Sequence, residues 1–391
     1  MTRRHMLGAA LAAGIGAAVP LVSASGAWAA PTASDPAQLT LPAPTGPHSV
    51  GTVPLRLVDT SRPDPVAGPG HHRELMASVW YPARKTEGLP RASWMTEGAL
   101  RAFLADSGFA LDPALGPLTA GHVGAPVHRT GHRLPVIVYS HGASSHRGDH
   151  TIMIQELASH GYVVVTVDHT HDTFTEFPDG RVAIPTEVPP FLGPRDFAAD
   201  LRFLLDCVEQ LAAGRSPDVD SGPLPHGLLG ALDPQCIGAF GWSKGGTAIA
   251  LTMLADQRVR AGLSVDGPMQ PTITTDLERP FMMMTADFTR AAMPDVAEFW
   301  THLRGWRLDV QADGAVHNSY GDNATLIPQA GRILGMTDQQ IQDWIGTLDP
   351  ARAVRIQQAY PLAFFDLHLR HRGGHLLEGP SAAYPEVKFL H

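Results

Sequence analysis

Lysine and cysteine are scarce in this sequence, and each scarcity excludes a class of protein. Lysine occurs three times in 391 residues, and 38 acidic residues against 29 basic ones give a formal net charge of −9. This balance disfavours nucleic-acid binding, which needs a basic surface. The two cysteines, Cys207 and Cys236, exclude a cysteine-rich scaffold or a four-cysteine zinc site. They allow one disulfide, although both lie in apolar patterns where free thiols are equally expected.

Long apolar runs are missing after the N-terminal segment. No later stretch reaches the roughly 20 apolar residues that a membrane-spanning helix requires. The hydrophobic content of 44% is nevertheless sufficient for a substantial core, so disorder is not expected to dominate. We therefore predict a soluble mature chain without a transmembrane segment.

The N-terminus has the features of an export signal. Arg3 and Arg4 precede a weakly hydrophobic, glycine-containing stretch at 7–22, and A-W-A at 27–29 fits a cleavage site. The arginine pair indicates the twin-arginine route, and an uncleaved anchor is the alternative. We predict a signal peptide at 1–29, a flexible tether at 30–50 and a single domain at 51–391, with secretion of the mature protein.

Short apolar runs alternate with helical patterns beyond the tether. The runs V-I-V at 136–138 and V-V-V at 163–165 suit strands buried on both faces. A helix is predicted over about 195–213, where apolar residues share one face. This alternation predicts an α/β fold with a mostly parallel sheet and helices on both faces. Strands are predicted at 73–82, 134–140, 162–167, 235–240, 262–265, 281–284 and 306–310.

One motif carries recognisable chemistry. Residues 241–246 read G-W-S-K-G-G, a G-x-S-x-G pattern between a predicted strand and a helical pattern that starts near residue 247. Such a turn holds Ser243 in a strained backbone conformation, and side chains at Gly241 and Gly245 would collide across it. The helix behind it aims the Lys244 backbone N–H at negative charge that develops during ester attack. The motif predicts Ser243 as a nucleophile, with a structural glycine-rich turn as the alternative.

A serine nucleophile needs a histidine base and an orienting carboxylate, which follow it along the chain in this type of fold. His317 is the candidate base, because it comes just after the last predicted strand and a turn. Asp266 and Asp287 both end predicted strands, and their spacing does not decide between them. Either aspartate could instead cap a turn.

A second donor for the oxyanion is expected in the loop that follows the strand at 134–140. Residues 141–144 read H-G-A-S, and a glycine-containing loop at this point contributes a backbone N–H in esterases of this type. The Ala143 N–H is therefore the candidate that would act together with Lys244.

Four segments resemble the plasma-type platelet-activating-factor acetylhydrolases and their bacterial relatives. They are Y-S-H-G-A at 139–143, G-W-S-K-G-G at 241–246, V-D-G at 265–267 and V-H-N-S at 316–319. The resemblance extends over most of residues 52–391, and it implies an α/β-hydrolase fold. It also implies a triad of Ser243, Asp266 and His317, with backbone oxyanion donors at Ala143 and Lys244.

The same resemblance implies a secreted ester hydrolase that acts on short-acyl phospholipids or other lipid esters. No cofactor, metal or nucleic acid is expected, and the sequence gives no oligomeric state. Lys244 replaces an apolar residue of the family and Ala143 replaces a larger apolar one, which predicts an acyl pocket that is more polar on one side and roomier on the other. A general carboxylesterase, lipase or polyester hydrolase therefore fits as well.

Two further alternatives belong to other classes. The sequence H-T-H-D at 169–172 could ligate a metal, although two histidines and one aspartate in a short loop more often form hydrogen bonds around a site. A secreted non-catalytic binding protein could also use a hydrolase scaffold, because a fold alone does not determine function.

Overall fold

The computed structural model describes residues 38–129 and 131–390. The predicted signal and the first part of the predicted tether lie outside these residues, and the division into signal, tether and domain stays a prediction. Residues 38–48 run along the domain surface. There the Thr45 backbone N–H donates to Glu156 (2.7 Å) and the Thr40 N–H donates to Gln329 (2.9 Å).

Strands and helices alternate along the chain. The strands are β1 (Ser49–Asp64), β2 (Gly68–Ala83), β3 (Arg91–Ser93), β4 (Leu118–Val123), β5 (Leu134–Ser140), β6 (Val163–Asp168), β7 (Thr175–Glu176), β8 (Val182–Ala183), β9 (Leu232–Trp242), β10 (Val259–Val265), β11 (Phe281–Thr285), β12 (Arg307–Ala312) and β13 (Val387–Phe389). The helices are α1 (Glu97–Ser107), α2 (Thr151–Ser159), α3 (Pro194–Ala212), α4 (Lys244–Ala255), α5 (Pro294–His302), α6 (Asn323–Leu334), α7 (Asp338–Ile345) and α8 (Pro350–Arg370).

Eleven of these strands form one mixed sheet. Their order across the sheet is β13-β12-β11-β10-β9-β5-β6-β2-β1-β4-β3, while β7 and β8 form a separate ribbon. The six central strands from β12 to β6 are parallel. At the two sides of this block, β2 is antiparallel to β6 and β13 is antiparallel to β12. The predicted α/β fold with a mostly parallel sheet is confirmed.

The sheet separates two hydrophobic cores. Along β5, Val136 and Val138 pack into the core that includes Leu201 of α3, whereas Ile137 packs into the core that includes Leu157 of α2. All three β5 side chains are fully buried, because helices cover both faces of the strand. This arrangement explains why the predicted run V-I-V is unbroken by polar residues.

The two cysteines that could have formed a disulfide, and the methionines of β11, have buried or partly buried side chains. Cys207 is buried and Cys236 partly buried, and both are free thiols in the structure. Met282, Met283 and Met284 are buried core residues of β11. Across the described residues, no helix combines the length and apolarity needed to cross a bilayer.

Candidate active site

Ser243 occupies the tight turn between β9 and α4. Its backbone angles of φ 54° and ψ −122° are strained for a residue with a side chain. A Cβ at Gly245 would lie 2.1 Å from the Ser140 carbonyl oxygen, and one at Gly241 would lie 2.5 Å from the Gly245 carbonyl carbon. The predicted strain at Ser243 and the predicted collision of a Gly241 side chain across the turn are confirmed, whereas a Gly245 side chain would collide with the end of β5 instead. The turn therefore requires glycine on both sides of the serine.

His317 lies directly in front of Ser243. It begins a short 3-10 turn, His317–Ser319, in the loop that follows β12. Its Nε2 atom is 3.0 Å from Ser243 Oγ, within hydrogen-bond distance of the hydroxyl. The geometry suits transfer of the hydroxyl proton from the serine to the imidazole.

Asp266 contacts the other nitrogen of the same imidazole. The His317 Nδ1–H donates to Asp266 Oδ2 over 2.6 Å, and the aspartate side chain is fully buried at the end of β10. The backbone N–H groups of Ala286 and Phe288 donate to Oδ1 at 2.7 and 2.9 Å. Because these neighbours are donors, the carboxylate acts as an acceptor, and Nε2 of His317 is left to accept from Ser243.

Asp287, the other candidate acid, has a different contact. Its Oδ2 accepts a hydrogen bond from the backbone N–H of His317 over 3.0 Å, rather than from the imidazole. Its own N–H points to Asp266 Oδ2 at 3.3 Å. Asp287 therefore fastens the loop that carries His317, while Asp266 orients the ring.

Two aromatic side chains without a predicted role in the site hold the imidazole of His317. The Trp242 ring stacks on it with centroids 4.8 Å apart, and the Phe288 ring lies 4.9 Å away at a steeper angle. The Trp242 Nε1–H also donates to the His317 carbonyl oxygen over 3.1 Å. The aromatic residue directly before Ser243 was the signal for this contact in the sequence.

The predicted oxyanion loop lies close to the nucleophile. A Cβ at Gly142 would be 3.0 Å from the Cβ of Ser243 and 2.5 Å from the Trp242 ring, so only glycine allows this approach. Within the described part of the chain, neither the Ala143 nor the Lys244 N–H has a hydrogen-bond acceptor. Both donors thus remain available for an oxygen atom of a substrate.

The Lys244 side chain is anchored away from the backbone donor. Its ammonium donates to Asp172 Oδ2 over 2.5 Å and to the Leu192 carbonyl oxygen over 2.9 Å, and it lies 5.0 Å from the centre of the Phe197 ring. The charge that was expected to make the acyl pocket polar is therefore paired. Among residues 38–129 and 131–390, no cluster of three or more His, Cys, Asp and Glu side chains is arranged to bind a metal ion.

A second serine–histidine–aspartate chain lies beneath the oxyanion loop. The His169 Nδ1–H donates to Asp200 Oδ2 over 2.9 Å, and its Nε2 is 2.9 Å from Ser140 Oγ. All three side chains are fully buried, and burial lowers the pKa of His169 to about 4. The imidazole is therefore neutral near pH 7. Since no substrate can reach Ser140, this chain supports the loop rather than forming a second site.

Comparison with known proteins connects this geometry to a family. The sequence model described as platelet-activating factor acetylhydrolase, isoform II, matches residues 33–176 and 204–375. The two matched parts include Ser243, His317 and Asp266 together with the oxyanion loop. Residues 177–203, which include Leu192, lie between them and are not matched.

Individual relatives and one solved structure agree with this match. A probable 1-alkyl-2-acetylglycerophosphocholine esterase of Arthroderma benhamiae is 28% identical, with 91% of this chain and 95% of that protein covered. The platelet-activating factor acetylhydrolase of Cavia porcellus is 23% identical, with 84% and 78% covered. A ferulic acid esterase from Streptomyces cinnamoneus has a similar structure, with a TM-score of 0.77 and 31% identity over 91% of this chain and 100% of that one. All three are named as ester hydrolases.

Proposed function

The chain belongs to the platelet-activating factor acetylhydrolase isoform II family and is an ester hydrolase, and from this premise we propose that it is a secreted serine esterase with a Ser243–His317–Asp266 triad. The observation that carries the proposal is the continuous hydrogen-bond chain from Asp266 through His317 to Ser243, with distances of 2.6 and 3.0 Å. Its serine is strained and partly exposed, as a nucleophile that must meet a substrate requires.

The first half of the proposed reaction forms an acyl-enzyme. His317 takes the Ser243 proton through Nε2 while Oγ attacks the ester carbonyl carbon. The negative charge that develops on the carbonyl oxygen is stabilised by the backbone N–H groups of Ala143 and Lys244. Asp266 keeps the imidazole in the tautomer that can accept the proton, and it stabilises the imidazolium that forms. The imidazolium then protonates the alkoxide, which leaves as an alcohol.

The second half returns the enzyme to its starting state. A water molecule loses its proton to His317 as it attacks the acyl carbon bound to Ser243 Oγ. The same two backbone donors stabilise the second tetrahedral intermediate. When it collapses, the imidazolium returns its proton to Ser243, and the carboxylic acid is released. The triad accomplishes both halves with protein groups and water.

The substrate class that we propose is lipid esters with a short acyl group, including acetyl phospholipids. The names of the fungal and guinea-pig relatives support an acetyl ester of a glycerophospholipid or similar lipid. The similarity to a ferulic acid esterase supports the second candidate, a general carboxylesterase that accepts larger acyl groups. The esterase names of all three relatives argue against a non-catalytic binding protein.

A series of esters separates the two candidates. We expect kcat/KM to be highest for p-nitrophenyl acetate and to fall by at least about tenfold by the octanoate, because a pocket fitted to a short acyl group rejects added methylenes. A phosphatidylcholine with an sn-2 acetyl group should be hydrolysed faster than one with a long sn-2 chain. The Ser243→Ala variant provides the blank for each substrate. An equal or higher kcat/KM for the octanoate or for ethyl ferulate would favour the general carboxylesterase.

Export through the twin-arginine route is part of the same proposal. The arginine pair, the weakly hydrophobic stretch and the A-W-A sequence at 27–29 support it. Protein recovered from the culture medium of a producing bacterium should begin at Ala30, as read by N-terminal sequencing. Replacement of Arg3 and Arg4 by lysine should retain the protein inside the cell. Export of that variant at the normal rate would contradict this route.

A further inference from the structure

We propose that Asp172 is a positioning residue that fixes the two backbone oxyanion donors, Ala143 N–H and Lys244 N–H, relative to each other. This inference rests on the proposed function. Asp172 belongs to the H-T-H-D segment at 169–172, for which the triad gives no role. Its side chain is fully buried. One oxygen contacts the loop that carries Ala143, and the other contacts the side chain of Lys244. A single carboxylate thus joins the two segments that supply the donors.

The first contact fixes the oxyanion loop. The Ser144 backbone N–H donates to Asp172 Oδ1 over 2.7 Å, and Ser144 directly follows Ala143. Ser144 has a positive φ of 54°, a conformation that costs a residue with a side chain free energy unless its surroundings hold it. The buried acceptor supplies that restraint. The orientation of the peptide group beside the Ala143 donor therefore depends on Asp172.

The second contact fixes the segment that follows the nucleophile. Lys244 supplies its N–H as the other donor, and its ammonium reaches Asp172 Oδ2 at 2.5 Å and the Leu192 carbonyl at 2.9 Å. The Lys244 side chain is only 19% exposed. Removing one partner of a buried ion pair costs folding free energy, because the other charge is left unpaired. The two groups therefore restrain each other strongly. We call Asp172, together with its contacts to Ser144 and Lys244, the clamp. Leu192, whose carbonyl also accepts from the Lys244 ammonium, belongs to residues 177–203, outside the family match.

The clamp matters because an oxyanion hole depends on preorganised donors. Removal of one such donor lowers kcat by about 10²- to 10³-fold, and a displaced donor loses part of that effect. The two contacts of Asp172 that make the clamp are with Ser144 and the Lys244 side chain, rather than with the triad residues themselves, so its loss should leave the triad assembled. The expected signature is a loss of transition-state stabilisation with little change in binding of the ground-state ester.

Three single variants and one double variant test the clamp. Asp172→Ala should lower kcat for p-nitrophenyl acetate by about 10- to 100-fold with a nearly unchanged KM. Asp172→Asn should lose less, because its amide oxygen can still accept from the Ser144 N–H. Lys244→Met should lose about as much kcat as Asp172→Asn. The Asp172→Asn/Lys244→Met double variant should lose less kcat than the product of its two single losses. The thermal midpoint of each variant, measured alongside, identifies any that fail to fold.

A transition-state analogue provides the readout that a merely structural role would not change. Phenylboronic acid forms a tetrahedral adduct with an active-site serine, and its Ki should rise in proportion to the loss of kcat/KM in folded variants. Asp366→Asn is the matched control, because it removes a charge from an ion pair with Arg370 on α8, away from the oxyanion loop. It should retain the wild-type kcat.

Two outcomes distinguish failure of the clamp from failure of the proposed function. Wild-type kcat and Ki values in folded Asp172→Asn and Lys244→Met, with an inactive Ser243→Ala, would overturn the clamp alone. Full activity of Ser243→Ala would instead overturn the triad on which the clamp rests.

Discussion

Replacement of Ser243 by alanine should abolish turnover of p-nitrophenyl acetate, with a loss of kcat on the order of 10⁶-fold. The alanine has no oxygen to form the acyl-enzyme, and the backbone donors alone can accelerate attack by water only modestly. The Oγ of Ser243 is 3.0 Å from His317 Nε2, so the variant also leaves the base without its proton donor. The measurement is steady-state hydrolysis at neutral pH, with the protein's fold checked by circular dichroism.

Ser264→Ala is the matched control for this experiment. Ser264 lies in the neighbouring strand β10, is 1% exposed, and its hydroxyl has no hydrogen-bond partner among the described residues. Removing that hydroxyl should therefore change kcat little. A fluorophosphonate that reacts with activated serines should label the wild type and Ser264→Ala but not Ser243→Ala. Labelling of Ser243→Ala, or retention of its turnover, would show that another residue is the nucleophile.

The positions of the proposed nucleophile and base could be predicted from the sequence because the structural requirements on them are largely local. The turn around Ser243 needs glycine at fixed positions between a strand and a helix, and such a pattern is visible without coordinates. His317 follows a strand and a turn, and this position also belongs to the local sequence. The seven predicted strands correspond to strands of the sheet, and the runs V-I-V at 136–138 and V-V-V at 163–165 are the clearest, because they are buried on both faces and contain no polar residue.

Features that depend on contacts between distant residues could not be predicted. Lys244 and Asp172 are 72 positions apart, and nothing in the sequence indicates that they pair. Strand β1 is also absent from the predicted strands, and it contains Pro54 and Pro63, residues that cannot donate to a ladder. The strand nevertheless forms, because it pairs with β2 in a hairpin along most of its length, while on its other edge it pairs with β4 only at Val50–Thr52. Pairing with neighbouring strands here overrides the local preference of proline.

Burial also distinguishes arrangements that look alike in chemistry. Ser140, His169 and Asp200 have the same hydrogen-bond order as the proposed triad, but their side chains are inaccessible. Burial alone would raise the pKa of Asp200, yet the Arg73 guanidinium outweighs it and holds that pKa well below its usual range. The ionised group and its cation thus form a structural network. Residue types and hydrogen-bond order alone do not separate such a network from a catalytic one.

The second prediction with a large expected effect on kcat concerns the two candidate acids, Asp266 and Asp287. Asp266→Asn should lower kcat by about 10⁴-fold, the size of loss seen when the carboxylate of a serine triad becomes an amide. The amide oxygen is drawn to the backbone donors of Ala286 and Phe288, which leaves its NH₂ group facing His317. The imidazole must then turn Nδ1 into an acceptor, so Nε2 carries a proton and cannot take one from Ser243.

Asp287→Asn is the matched comparison, because it makes the same change of chemistry one strand away. Its amide oxygen can still accept from the His317 backbone N–H, now 3.0 Å from the carboxylate, and the imidazole tautomer is unaffected. Its kcat should stay close to that of the wild type, because the substitution only weakens one hydrogen bond to the loop that carries His317. If Asp287→Asn proved far more damaging than Asp266→Asn, the acid would be Asp287. The 2.6 Å contact of Asp266 with the imidazole would then have a structural role only.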